Sequence, residues 1–119
     1  MKDSLSLQLA KQVLSKEVEV IFDRPLGTRY PKHNYIYEVN YGYVDGLKAP
    51  DDKDLDDYYL GVNKPFIKER VICIAIAHLK NDDDDKLIVM PPGASISNEE
   101  IMKVIHFQER WFNTEIIRI

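Results

Sequence analysis

The spacing of hydrophobic positions changes several times along the chain, and each change marks an element. Over residues 4 to 16, Leu7, Ala10 and Leu14 recur at intervals of three and four with no Gly or Pro between them, which predicts an amphipathic helix with Ser4 as its cap. From Glu17 to Phe22 the period becomes two: Val18, Val20 and Phe22 oppose Glu19 and Ile21, a half-buried strand that stops at Asp23-Arg24-Pro25. Leu26 to His33 holds a glycine between prolines and three cationic side chains, and reads as a loop. Tyr35 to Val44 is dense in aromatic and β-branched residues and predicts one strand, or two short ones bent at Gly42. Further strands are expected at Tyr58 to Val62, at the apolar run Val71 to Leu79, and at Leu87 to Met90, which ends at Pro91-Pro92-Gly93. Ser97 and Glu100 form a capping box that opens a second helix, with Ile101, Val104, Ile105, Trp111 and Phe112 on one face, and Glu115 to Ile119 reads as a terminal strand. Several short strands between two helices predict a mainly β fold, a small barrel or strongly curved sheet with its acidic loops at one mouth.

A chain of 119 residues reads as a single domain over residues 1–119, able to form its own core without disulfides or a structural metal. The formal net charge of -4 and a pI near 5.3 argue against nucleic acid or an anionic membrane surface as the main partner, since both select cationic surfaces. The lone Cys73 lies inside the longest apolar run and reads as a packed hydrophobe, which fits a reducing, cytoplasmic setting. Polar residues interrupt the first seventeen positions, so they do not form a signal sequence, and no stretch is long and apolar enough for a membrane span.

Charge distribution changes the picture more than total charge does. Five aspartates fall within the seven residues from Asp51 to Asp57, and four more run from Asp82 to Asp85, directly before Lys86. Carboxylates packed this closely are relieved by solvation, by protonation, or by a hard cation such as Mg²⁺ or Ca²⁺. A single acidic loop reads first as a solvated face; two of them pose the question of a shared metal site. An EF-hand loop starting at Asp52 fails, because Asp57 stands where glycine is required and Asn63 where a bidentate glutamate belongs. Three scattered histidines and one apolar-flanked cysteine make neither a zinc site nor a Cys-His nucleophile. His78 and His106 read as structural, and His33 as either a turn residue or a phosphate contact.

Three motifs in order, Asn40-Tyr41-Gly42-Tyr43, then Asp52-x-Asp54-x-x-Asp57, then Asp84-x-Lys86, resemble those of soluble family I inorganic pyrophosphatases over about residues 18 to 112. The resemblance implies an OB-like five-stranded barrel with an N-terminal and a C-terminal helix. It also implies several Mg²⁺ ions that bind pyrophosphate and activate a bridging water for attack on one phosphorus. Carried over by position, Asp52, Asp57 and Asp84 would be metal ligands, with Asp82 or Asp83 as the further acidic ligand. Asp54 would orient or deprotonate the water. Tyr41 and Lys86 would contact phosphate, Asn40 matches the neighbouring asparagine, and Asp23 takes the place of an outer acid. Asp51 and Asp56 would be solvated neighbours. Such a set makes chemical sense: an acidic protein binds a dense anion through cations, and carboxylate oxygens are natural Mg²⁺ ligands.

The departures are specific. A hairpin that in the family supplies a lysine, a glutamate and an arginine is replaced by a short loop, where Arg24, Arg29 and Lys32 are the available cations. Leu55 stands where the family tends to place proline, and in a regular strand Asp57 would face away from Asp52 and Asp54, so a bend near Leu55 is expected if the site is to form. The family's tyrosine-lysine pair on the last helix corresponds to Trp111-Phe112, which read as core on helical spacing. The expectation is a Mg²⁺-dependent hydrolase of inorganic pyrophosphate that self-associates into a homo-oligomer. The alternatives are a hydrolase of another phosphoanhydride, a non-catalytic divalent-metal or phosphate-binding module on the same barrel, and a protein acting through subunit contacts with merely solvated acidic loops.

Overall fold

The computed structural model describes residues 5–30, 35–48, 54–80 and 85–118. Ser4, Lys32, His33, Asp51, Asp52, Asp82, Asp83, Asp84 and Ile119 lie outside them, as does the side chain of Asp54. In chain order the elements are α1 (Leu5–Val13), β1 (Glu17–Arg24), β2 (Arg29–Tyr30), β3 (Tyr35–Ile36), β4 (Asn40–Lys48), β5 (Asp54–Tyr59), β6 (Lys68–Leu79), β7 (Lys86–Met90), α2 (Asn98–Glu109) and β8 (Thr114–Ile117). Among the described residues no helix is long and apolar enough to cross a membrane.

The expected barrel is present. The main sheet runs β1-β4-β5-β7-β6-β8, and a further β1–β6 pairing closes its first five strands on themselves. Every neighbour pair is antiparallel except β5–β7, which is parallel. Strand β6 makes closure possible by being long: residues 68–72 pair with β1, and residues 76–79 carry β8. Between those halves its register against β7 shifts from Cys73 to Ala75, so Cys73 and Ile76 both join the inner core while Ala75 and Ala77 face outward.

Alternation sorts the strands into two cores. The interior takes Val18, Val20 and Phe22 as expected, with Leu55, Tyr59, Val71, Leu87 and Val89, and α1 adds Leu7 and Ala10 to it. The rings of Phe22 and Tyr59 stack there at 5.4 Å. Outside the barrel, Tyr41, Tyr58, Ala75, Ala77, Ile88 and Met90 are covered by Ile101, Ile105 and Phe107 of α2. The cap of α2 is the expected one, with the Glu100 amide donating to Ser97 Oγ at 3.1 Å.

Four expectations need correction. The 26–33 loop contains β2, which pairs with β3 as a separate two-stranded ribbon, Arg29 opposite Ile36 and Tyr30 opposite Tyr35. The Tyr35–Val44 segment is interrupted at residues 37–39 rather than bent at Gly42, because Tyr37 turns away to exchange backbone hydrogen bonds with Gly27 and Thr28. The strand expected at Tyr58 to Val62 starts earlier, at Asp54, and ends at Tyr59. Helix α2 ends at Glu109, so Trp111 and Phe112 escape the helical face and stand 51% and 47% exposed.

Candidate metal and phosphate site

Asp57 sits on the inner face of β5, between Gly42 of β4 and Leu87 of β7 in the cross-strand register. It is fully buried, and among the described residues neither carboxylate oxygen has a hydrogen-bond partner. Burial pushes its carboxyl well above the usual range, and the charges of Asp56 and Asp23 push it the same way. The glycine opposite is required by packing. A Cβ on Gly42 would come within 2.0 Å of the Ile21 carbonyl oxygen and 2.7 Å of Phe22 Cα, so β1 and β4 approach closely only because that position lacks a side chain. The β4–β5 ladder slips beyond this row: from the Tyr43–Asp56 pair to the Lys48–Asp54 pair β4 advances five residues and β5 two, so the three extra residues lie on β4, and β5 keeps its alternation from Leu55 to Tyr59 in place of the bend expected at Leu55.

The parallel β5–β7 pair, with Asp57 beside Leu87, starts both strands at the same end of the barrel. Lys86, the first residue of β7, faces outward and lies under the end of α2. Its ammonium meets Glu109 Oε2 at 3.0 Å and lies 5.3 Å from the Phe112 ring centroid, with 4% of its side chain exposed. Glu109 also accepts from Thr114 Oγ1 at 3.0 Å and from the Tyr58 hydroxyl at 2.5 Å. The Gln108 amide donates to Tyr58 at 2.6 Å while its carbonyl oxygen accepts from Tyr35 at 2.8 Å and Tyr37 at 2.5 Å. Arg24 Nη1 donates to the Tyr37 hydroxyl at 2.7 Å. A continuous relay of hydrogen bonds therefore joins Arg24 to Glu109 and Lys86 across the outer face. Burial and the Glu109 carboxylate both hold the Tyr58 phenol well above its usual range.

Tyr41 belongs to the same aromatic cluster, with ring centroids 5.3 Å from Tyr37 and 4.9 Å from Tyr58, and its hydroxyl donates to Asp56 Oδ2 at 3.0 Å. Arg29 stands exposed on β2, and Asp23 exposed near the end of β1. Asn40 is a fastener: its Oδ1 accepts from the Leu26 and Phe66 amides, both at 2.9 Å, and its Nδ2 donates to the Lys64 carbonyl at 2.9 Å. Thus Arg24, Tyr41 and Lys86 share the outer aromatic face, whereas Asp57 lies inside the barrel. Among the described residues no three histidine, cysteine or carboxylate side chains converge in a way that could hold a metal; Asp52, Asp82, Asp83, Asp84 and Lys32 lie outside that set.

Sequence reasoning missed Gln108, Glu109 and Asp85. Gln108 continues the stripe of Ile101 and Ile105 at spacings of four and three, a signal that it is buried. Asp85, the last of the acidic run, is buried and pinned by Ser6 Oγ at 2.5 Å, His78 Nδ1 at 2.6 Å and the Leu79 amide at 3.1 Å. It ties α1 and β6 to the start of β7. A groove of about 640 Å³ between α2 and β8, lined by Met102, His106 and Ile116, touches none of the candidate residues.

The chain's fold is that of solved inorganic pyrophosphatases. It superposes on the enzyme from Ehrlichia chaffeensis with a TM-score of 0.65 at 16% identity, covering 86% of this chain and 85% of that one. For the Helicobacter pylori enzyme the TM-score is 0.65 at 14% identity, covering 89% and 86%. For the Coxiella burnetii protein it is 0.61 at 20% identity, covering 82% and 78%. No protein-family model matches the sequence, and no curated protein matches it significantly.

Proposed function

We propose that this protein is a Mg²⁺-dependent hydrolase of inorganic pyrophosphate. The observation that carries this reading is the Asp57 carboxylate, buried inside the barrel with no hydrogen-bond partner for either oxygen among the described residues. An isolated carboxylate there is tolerated as the neutral acid or beside a cation. Its oxygen chemistry and the charges of Asp23 and Asp56 nearby fit a hard divalent ion. The similar solved structures are inorganic pyrophosphatases, and their fold supports extending the same chemistry to this barrel.

In this reading Asp57 holds Mg²⁺ together with Asp52, Asp84 and one of Asp82 and Asp83. Bound Mg²⁺ would neutralise charge on the pyrophosphate and acidify the attacking water. Asp54 orients that water and accepts its proton. On the anion side, Tyr41, Lys86, Arg24, Arg29 and Lys32 are the donors to phosphate oxygens; Tyr41 and Lys86 are held in advance by Asp56 and Glu109, and Arg24 by Tyr37. A homo-oligomer in the cytoplasm is part of the same proposal.

The test is phosphate release from pyrophosphate with Mg²⁺, its abolition by chelator, and its loss in Asp54→Ala by about 10²- to 10⁴-fold, the usual contribution of a general base. No release by the native protein would refute the hydrolase, and undiminished release by the variant would remove Asp54 from its role. A second reading, a non-catalytic divalent-metal or phosphate-binding module, is favoured by the neutralisation of Lys86 by Glu109 and by exposed Trp111-Phe112 in place of phosphate donors. It gives Mg²⁺ and phosphate binding by calorimetry without turnover of pyrophosphate or any other phosphoanhydride.

A further inference from the structure

The anion-facing side of the barrel contains its own anion. Glu109 is 1% exposed at its side chain, and its carboxylate receives Lys86 at 3.0 Å, Tyr58 at 2.5 Å and Thr114 at 3.0 Å. Three donors satisfy the carboxylate, and the buried lysine beside it is its close ion-pair partner. The pair is directional: Phe112 stands over the ammonium, and the relay from Arg24 through Tyr37, Gln108 and Tyr58 ends on the oxygen that Lys86 uses.

We infer that Glu109 is a positioning residue that fixes the Lys86 ammonium and occupies, as an internal competitor, an acceptor place that a phosphate oxygen would otherwise take. This rests on the reading of Lys86 as a phosphate contact. A phosphate approaching Lys86 meets an ammonium already engaged by a carboxylate, so it must compete with Glu109 for the same donor. Glu109 thereby weakens the hold on phosphate, which for a hydrolase making two phosphates from each substrate favours release.

The test compares the native protein, Glu109→Gln, Lys86→Gln and the double variant by calorimetric titration with inorganic phosphate in the presence of Mg²⁺, and by steady-state kinetics with pyrophosphate. Glutamine keeps the shape and an acceptor oxygen but removes the charge. Glu109→Gln should tighten phosphate binding by about tenfold and lower KM with it. In the Lys86→Gln background the same change should gain less than about twofold, since the coupled partner is gone. Unchanged or weaker phosphate binding in Glu109→Gln, or an equal gain without Lys86, overturns the role of Glu109. Phosphate binding by none of the four proteins overturns both that role and the reading of Lys86. If Glu109→Gln fails to fold, Glu109→Asp retains the charge but withdraws it by one methylene; tighter phosphate binding supports the inference and unchanged binding overturns it.

Discussion

Replacing Asp57 by asparagine should have opposite effects with and without metal. In the metal-free protein the buried carboxylate has no donor among the described residues, and desolvation, reinforced by Asp56 and Asp23, raises its pKa well above the ordinary value. An uncompensated buried charge costs about 3–5 kcal/mol, whereas an unsatisfied neutral amide in the same place costs about 1–3 kcal/mol. Asp57→Asn should therefore stabilise the metal-free protein at neutral pH by about 2 kcal/mol, which at this chain length raises Tm by about 8 °C. The sign of the pH dependence follows from the raised pKa. Below about pH 4 folded and unfolded chains both keep the proton. Above it the unfolded chain loses a proton that the folded chain retains, so native stability falls as pH rises and the advantage of the variant opens in that direction, up to the folded pKa.

Mg²⁺ should reverse the order. A ligand that binds only the native state stabilises it by RT ln(1 + [L]/Kd), about 2.7 kcal/mol at a hundredfold excess over Kd, and the variant should lose most of that gain. Thermal unfolding followed by circular dichroism, in chelator and in Mg²⁺ across the acid-to-neutral range, measures both effects. A variant less stable than the native protein in chelator at neutral pH would mean that the carboxylate is already satisfied. An equal response to Mg²⁺ in both proteins would remove Asp57 from the metal site.

Gly42→Ala should destabilise the fold by about 3 kcal/mol or more, because the added carbon meets the β1 backbone rather than a yielding side chain; the urea midpoint reads this, and a change below about 1 kcal/mol would refute the close approach of the two strands. Cys73 is buried in the inner core, and its thiol is pushed up to about 12, chiefly by burial. Iodoacetamide at mildly alkaline pH should therefore label it only as fast as the protein unfolds, and rapid labelling of the native state would contradict its place in the barrel.

How far these features could be read in advance depends on whether their causes are local. The alternation of Val18, Val20 and Phe22 and the Ser97 cap are settled within a few residues, and both are found as expected. The break at residues 37–39 was invisible because it depends on Gly27, Thr28 and the Gln108 side chain, partners far away in sequence. Trp111 and Phe112 continue a helical spacing in the sequence, yet the helix ends before them and leaves Gln108 and Glu109 as its buried polar pair, a choice made by Tyr58 and Lys86 on other strands. Asp85 looks like one more solvated acid until Ser6, His78 and the Leu79 amide enclose it.

Topology places the first residues of β5 and β7 relative to one another, which spacing alone leaves open. Two acidic runs about thirty residues apart in sequence, with β6 between the strands they precede, could open opposite ends of a barrel or the same end. If β5 and β7 were antiparallel, the residues leading into them would be separated by the length of the strands. They are parallel, with Asp57 beside Leu87, Tyr58 beside Ile88 and Tyr59 beside Val89, so the first residues of both strands share one rim. The inward row of Gly42, Asp57 and Leu87 then puts the Asp57 carboxylate inside the barrel, while Asp56 and Lys86 point outward to Tyr41 and Glu109. Adjacent residues on each strand thus serve opposite faces: Asp57 confronts the question of a cation, and Lys86 the question of an anion. A phosphoanhydride hydrolase on this scaffold has to join those two faces at the rim where β5 and β7 begin, which makes the coupling between Mg²⁺ binding at Asp57 and phosphate binding at Lys86 the quantity that separates a catalyst from a binding module.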